Sequence, residues 1–265
     1  MYEELLKTAE TDEAAVKRLV DVIAILRAPG GCPWDREQTH ESLKKPMIEE
    51  AYEVVEAIEN CDDANLREEL GDVLLQVVFH SNIAREEDRF SLKDVANEEC
   101  EKMIRRHPHV FGNAENNLDA KGVLSQWEDI KKLEKTNQTQ TESMNAIPRG
   151  LPALYRADKV QKKAAKVGFD WDDVSGAFDK VQEESAEVKA AMESKNQDEI
   201  TKEVGDLLFA AVNVARMLDV DPEEALNGTT AKFIRRFKYV EERMQKGMSL
   251  EELDKLWDEA KANGL

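Results

Sequence analysis

Apolar residues recur three and four positions apart along most of the chain, and the strict alternation of a half-buried strand is rare. This period predicts helices over 12–27, 41–60, 64–87, 91–106 and 119–134. It predicts a second set over 152–167, 175–195, 197–219, 221–246 and 249–262. Between the sets, TNQTQTESMNAIPRG (136–150) is polar and ends in Pro-Arg-Gly, which reads as a linker. The expected fold is therefore all-α, with one half over 1–135 and another over 151–265. Scarce Pro and Gly, 7 and 12 in 265 residues, agree with a helical chain.

One apolar run breaks the pattern. KEVGDLLFAAVN (202–213) has the composition of a core helix, yet it opens with Glu203 and Asp206. Asp is a poor helix former and is expensive to bury. The first half has the same anomaly in EELGDVLLQVVF, with Glu69 and Asp72 in the matching places. The match extends further. Residues 49–72 align with 183–206 at a constant offset of 134, which sets Glu50 on Glu184, Glu53 on Glu187, Glu69 on Glu203 and Asp72 on Asp206. KMIRR (102–106) matches KFIRR (232–236), and Trp127 matches Trp257, both at an offset of 130. GCPWD (31–35) matches GFDWD (168–172) at 137. Shifts this small are what differing loop lengths produce. The chain therefore carries an internal duplication that reads as two similar domains.

The shared acids make a pattern with chemical meaning. Glu184 and Glu187 are three apart, as are Glu203 and Asp206, so each pair leaves one face of its helix. A short connection near 194–198 makes the two helices an antiparallel pair, which can bring the four carboxylates together. Such a cluster needs a counter-charge. Oxygen-only ligands suit a hard cation, Mg²⁺ with Mn²⁺ as a substitute, which keeps waters and shares its shell with phosphates. The competing reading is a solvated acidic face, ordinary in a Glu-rich chain.

Charge narrows the partners. The net charge of −19 argues against non-specific binding to nucleic acid or anionic membrane. Against that background, Lys232 and Arg236 share a helix face, with Lys102 and Arg106 as their counterparts. Their partners are either the protein's own carboxylates or phosphate oxygens, for which Arg offers a bidentate fork. Carboxylates and cations in one domain together suggest a metal–polyphosphate site. No P-loop, GxGxxG or GxSxG occurs. The di-iron alternative needs two ExxH motifs, and only Glu37–His40 fits. His107-Pro-His109 reads as a loop. The tryptophans read as core or docking residues, with Trp257 alternatively covering a base. Three scattered cysteines, a polar N-terminus and no window of membrane-span length lead to a cytoplasmic expectation.

GCPWDREQTHESL, EEAYE, EELGDVLLQVVFH, RRHPHVF, IPRGLPAL and GFDW, in this order, resemble the MazG nucleoside triphosphate pyrophosphohydrolases of the two-domain bacterial type. The resemblance runs from about residue 12 to the C-terminus. It implies tandem four-helix-bundle-like domains, a homodimer, and Mg²⁺-dependent hydrolysis of nucleoside triphosphates to monophosphate and pyrophosphate. By similarity, Glu184, Glu187, Glu203 and Asp206 hold the metal. Lys180, Lys232 and Arg236 meet phosphate, and Trp257 lies by the nucleotide. Glu50, Glu53, Glu69 and Asp72 take the metal positions in the first copy. Position 180 is Lys, whereas its counterpart is Pro46, so the second copy is expected to be catalytic. The first would then serve dimerisation, regulation or weak activity. The expected chemistry is in-line attack of a metal-activated water on the α-phosphorus, with Glu183 or Glu184 as general base and Lys232 and Arg236 neutralising the departing pyrophosphate. The competing expectation is a non-catalytic nucleotide sensor or helical scaffold.

Overall fold

The computed structural model describes residues 3, 5–112, 119–134 and 139–265. The chain divides into two units, Met1–Glu134 and Lys135–Leu265. All regular secondary structure among the described residues is helical. The first unit contains α1 (Asp12–Arg27), α2 (Pro33–Glu37), α3 (Lys44–Glu59), α4 (Asp63–Glu86), α5 (Leu92–Arg106), α6 (Pro108–Phe111) and α7 (Ala120–Glu134). The second contains α8 (Gln140–Asn145), α9 (Ala153–Ala165), α10 (Val174–Ser194), α11 (Gln197–Met217), α12 (Pro222–Glu241) and α13 (Leu250–Ala262).

The centre of each unit is a tight antiparallel helix pair, and both pairs turn in the same way. Cys61 and Lys195, 134 residues apart, end α3 and α10 in the left-handed region, at φ of 54° and 56°. The next residue then caps the following helix. Asp62 accepts from the main-chain N–H of Ala64 and Asn65, and Asn196 accepts from those of Asp198 and Glu199. The left-handed residue reverses the chain with almost no loop, so α4 runs back along α3 and α11 along α10. This reversal sets the acidic face of one helix opposite that of the next.

Packing holds the pairs in place. In the first unit, Ile23, Leu43, Val78, Phe79 and Ile83 are buried together, with Leu19, Val20, Leu26, Leu75 and Leu92 against them. Arg27 ties three helices at this core. It pairs with Glu86 at 2.7 Å, donates to the Asp35 carbonyl at 2.6 Å, and lies 5.5 Å above the Phe79 ring. In the second unit α9 packs on α11 and α12, and α12 packs on α13. Gln161 donates to the Phe209 carbonyl at 2.8 Å. Arg216 grips Asp170 with both terminal nitrogens, at 2.5 and 2.9 Å, so the chain before α10 is tied to the end of α11.

The structure departs from expectation in five places. A helix, α8, lies within the stretch read as a linker. Thr139 and Glu142 form a capping box there, with Thr139 N–H to Glu142 Oε2 at 2.7 Å, and Gln140 donates to the Lys163 carbonyl. His107-Pro-His109 is not a loop throughout, because Pro108 opens the helical turn α6. Pro33 likewise opens the unexpected α2. Helix α12 stops at Glu241, short of 246, and Gly247 follows at φ 97°. The apolar run of α11 is not all core. Ala210 and Val212 are buried, but Leu208 and Phe209 remain 53% and 46% exposed. Among the described residues, no helix is long and apolar enough to cross a membrane.

Candidate metal and phosphate site

The α10–α11 pair gathers acids as its sequence spacing implies. One oxygen from each of Glu184, Glu187 and Glu203 lies within 4.8 Å of the others. Glu184 is 4% exposed, and its two oxygens differ sharply in environment. Oε1 pairs with Lys180 Nζ at 2.5 Å, while Oε2 is buried without a hydrogen-bond partner. Lys180 also reaches Glu183 at 3.0 Å. The charge of Glu184, followed by burial and the charge of Glu203, pushes the Glu187 carboxyl up. Glu184 and Glu183 hold the Lys180 ammonium firmly charged. Asp206 is exposed and stands outside the three-acid group. A shallow groove runs beside the acids, lined by Glu187, Ala190, Ala191, Glu199 and Glu203.

The α3–α4 pair gathers a different trio, Glu50, Glu69 and Asp72, all half-buried and with ligand oxygens within 4.8 Å. Glu53 is exposed and outside the trio, yet its charge and hydrogen bonds help push up both Glu50 and Glu69, for which burial is the larger cause. The counter-charge differs as well. Pro46 stands where the second unit has Lys180. The group that meets Glu50 is instead Gln76, buried to 6% exposure, whose Oε1 has no partner. Its counterpart in the second unit is Ala210. Sequence reasoning missed Gln76. The signal was a lone amide, four residues after Asp72, in an otherwise apolar run.

The basic residues form their own groups. Arg236 lies 5.9 Å from the Trp257 ring, Phe233 lies 4.9 Å from the same ring, and Arg236 Nε donates to the main-chain oxygen of Leu265 at 2.7 Å. Lys232 is half-buried on the same helix. Within the unit, α12 packs on α9, α11 and α13, not on α10. Among the described residues no ion pair or hydrogen bond joins Lys232 or Arg236 to the four acids. The first unit repeats the arrangement, with Arg106 lying 5.1 Å above Trp127 and Lys102 paired with Glu99. The histidines pair locally. His40 and His80 stack with Nδ1 atoms 2.7 Å apart, and His107 meets the Met103 carbonyl.

The donor set fits a hard divalent cation. Every candidate ligand is a carboxylate oxygen, and a buried, unpartnered Glu184 Oε2 is an acceptor with nothing to accept from. Among the described residues, Lys180 is the cation paired with the second trio, through Glu184.

The model of the MazG nucleotide pyrophosphohydrolase domain matches residues 38–111 and again 176–241. These spans contain both acidic trios and both basic pairs. A Thermotoga maritima protein, nucleoside triphosphate pyrophosphohydrolase/pyrophosphatase MazG, is 49% identical over 252 residues, covering 92% of this chain and 95% of that protein. The nucleoside triphosphate pyrophosphohydrolase of Escherichia coli K12 is 43% identical over 257 residues, covering 93% and 97%. YabN of Bacillus subtilis is 51% identical over 247 residues, covering 91% of this chain and 50% of the longer protein. Two domain matches, on two units with the same hairpin and with acids at aligned sequence positions, make this chain a member of the MazG nucleotide pyrophosphohydrolase family.

Proposed function

We propose that the protein hydrolyses nucleoside triphosphates to a nucleoside monophosphate and pyrophosphate, with Mg²⁺ as its metal and Mn²⁺ as a substitute. The observation that carries this reading is Glu184, a buried carboxylate with one oxygen unpartnered, set between Glu187 and Glu203. The names of the related proteins supply the substrate class. Glu184, Glu187 and Glu203 would hold the cation, with Asp206 joining from the next turn of α11. When bound, the cation would lower the pKa of a water and offset charge on the phosphates.

The chain's own groups would do the rest. Glu183, which is exposed, or the free oxygen of Glu184 would take the proton of the water attacking the α-phosphorus. Lys180 would turn from Glu184 towards a phosphate oxygen once another positive charge offset the acids. Lys232 and Arg236 would neutralise the departing pyrophosphate, and Trp257, beside Arg236, would lie against the nucleotide. The second unit is the catalytic one in this reading, because Lys180 pairs with its acidic trio, whereas Pro46 stands at the aligned position of the first.

A homodimer completes the proposal. Leu208 and Phe209 on α11, and Phe233, Ile234 and Phe237 on α12, are 44–62% exposed. A second copy would cover these faces and bring cations towards acids that they do not meet within one chain.

The decisive experiment incubates each common nucleoside triphosphate with the protein and Mg²⁺ and resolves the products. Monophosphate plus pyrophosphate is expected. Diphosphate plus phosphate would move the attack to another phosphorus, and no turnover with any of them would favour a nucleotide sensor or scaffold.

A further inference from the structure

The two units treat their basic pair differently. In the second, Lys232, Arg235 and Arg236 have no Asp or Glu partner among the described residues; Arg236 gives only Nε, to the oxygen of Leu265, the last residue of the sequence. In the first, every member of the set is engaged. Lys102 pairs with Glu99. Glu134, at the end of α7, takes both arginines: Arg105 Nε at 2.7 Å, and Arg106 through its terminal nitrogen at 2.6 Å and Nε at 3.2 Å. Arg106 is the more enclosed of the two, its side chain 14% exposed against 55% for Arg105, with the Glu134 side chain at 22%. The two guanidinium groups hold the Glu134 carboxyl down to about 2. Trp127 lies under Arg106 as Trp257 lies under Arg236. At the same offset of 130, the counterpart of Glu134 is Gly264, which has no side chain to offer.

A carboxylate that bridges two guanidinium forks fills the geometry a phosphate would use. We infer that Glu134 is an internal stand-in for phosphate: it occupies Arg105 and Arg106 and keeps the first unit from taking a triphosphate, although Glu50, Glu69 and Asp72 remain placed to hold a cation. The proposal rests on the reading that Arg236 meets phosphate in the second unit. It makes the silence of the first unit a reversible property of one side chain, additional to the loss of lysine at Pro46.

The test counts bound ligand. The probe is the α,β-methylene analogue of the triphosphate that the wild type hydrolyses best, with Mg²⁺, in equilibrium dialysis. Wild type binds one analogue per chain. Glu134→Gln and Glu134→Ala bind two, the second about tenfold or more weakly because Pro46 supplies no cation. Adding Arg106→Gln to Glu134→Gln returns the count to one. An acid in the last turn opposes the helix dipole, so neutral replacements do not weaken α7 itself. A count that stays at one in both variants, two sites already in the wild type, or loss of helical signal in both variants overturns the inference. Absence of wild-type turnover would instead remove the reading beneath it.

Discussion

At the scale of single residues, the site is organised by how each carboxylate is compensated. Glu184 has one oxygen on Lys180 and one on nothing; Glu50 has a neutral amide, Gln76, in place of a cation. The two trios are therefore chemically distinct although their sequences align. Glu187→Ala is expected to lower kcat/KM for triphosphate hydrolysis by at least about a hundredfold, the scale of losing a preorganised charge at the reacting centre. Its counterpart Glu53→Ala should stay within a few-fold of wild type. Steady-state assays of the two variants side by side check this, and equal losses would put catalysis in both units. The acids were legible in the sequence because their spacing and their double occurrence are local patterns. What each acid touches was not. The choice of Glu187 over Asp206 in the tight group, and of Asp72 over Glu53 in the other, depends on side-chain rotation about helices whose spacing allows all four.

At the scale of elements, helix positions followed from period and caps, and most bounds agree with expectation to within a few residues. The exceptions have local causes. Thr139 and Glu142 form a capping box in a stretch too polar to announce a helix by its apolar pattern. The left-handed Cys61 and Lys195, neither of them glycine, carry no turn signal of the usual kind, although the Asp62 and Asn196 caps after them do. Tertiary ties were wholly out of reach of the pattern: the Asp170–Arg216 pair spans 46 residues, and nothing in either segment names the other. One tie makes a prediction. Trp171 sits on Gly176 in the first turn of α10, where an added Cβ would overlap the indole ring. Gly176→Ala should displace that ring and destabilise the second unit by about 1–3 kcal/mol. A lowered thermal midpoint together with an altered tryptophan emission spectrum is the expected result; an unchanged spectrum would show that the ring does not depend on the glycine.

At the scale of the whole molecule, the duplication and the all-helical class were readable, while the surface was not. The run through Leu208 and Phe209 has core composition but lies on a face of α11 that α9 and α10 leave bare. Composition reports that a face is apolar; it does not report which chain covers it. If a second copy does, sedimentation will give a dimer at micromolar concentration, and Leu208→Asp, with a charge at the centre of that face, will shift it towards monomer. A wild type that sediments as a monomer would refute the dimer.

The unpartnered oxygen of Glu184 has a consequence for motion. A buried acceptor with no donor, beside a Glu187 whose carboxyl is pushed up by its neighbours, weakens the α10–α11 pair where its acids converge. A carboxyl raised in the folded state favours folding below its ordinary pKa, and that contribution fades as pH rises through the raised value. Without a cation, the pair should therefore breathe more readily once pH has risen above the carboxylate range than below it. Amide hydrogen exchange measures that breathing directly. Chelation should speed exchange along the middle turns of α10 and α11, and added Mg²⁺ should slow it, by a larger factor well above the ordinary carboxylate pKa than below it. Exchange indifferent to the cation in both ranges would mean that the hairpin holds its acids together unaided.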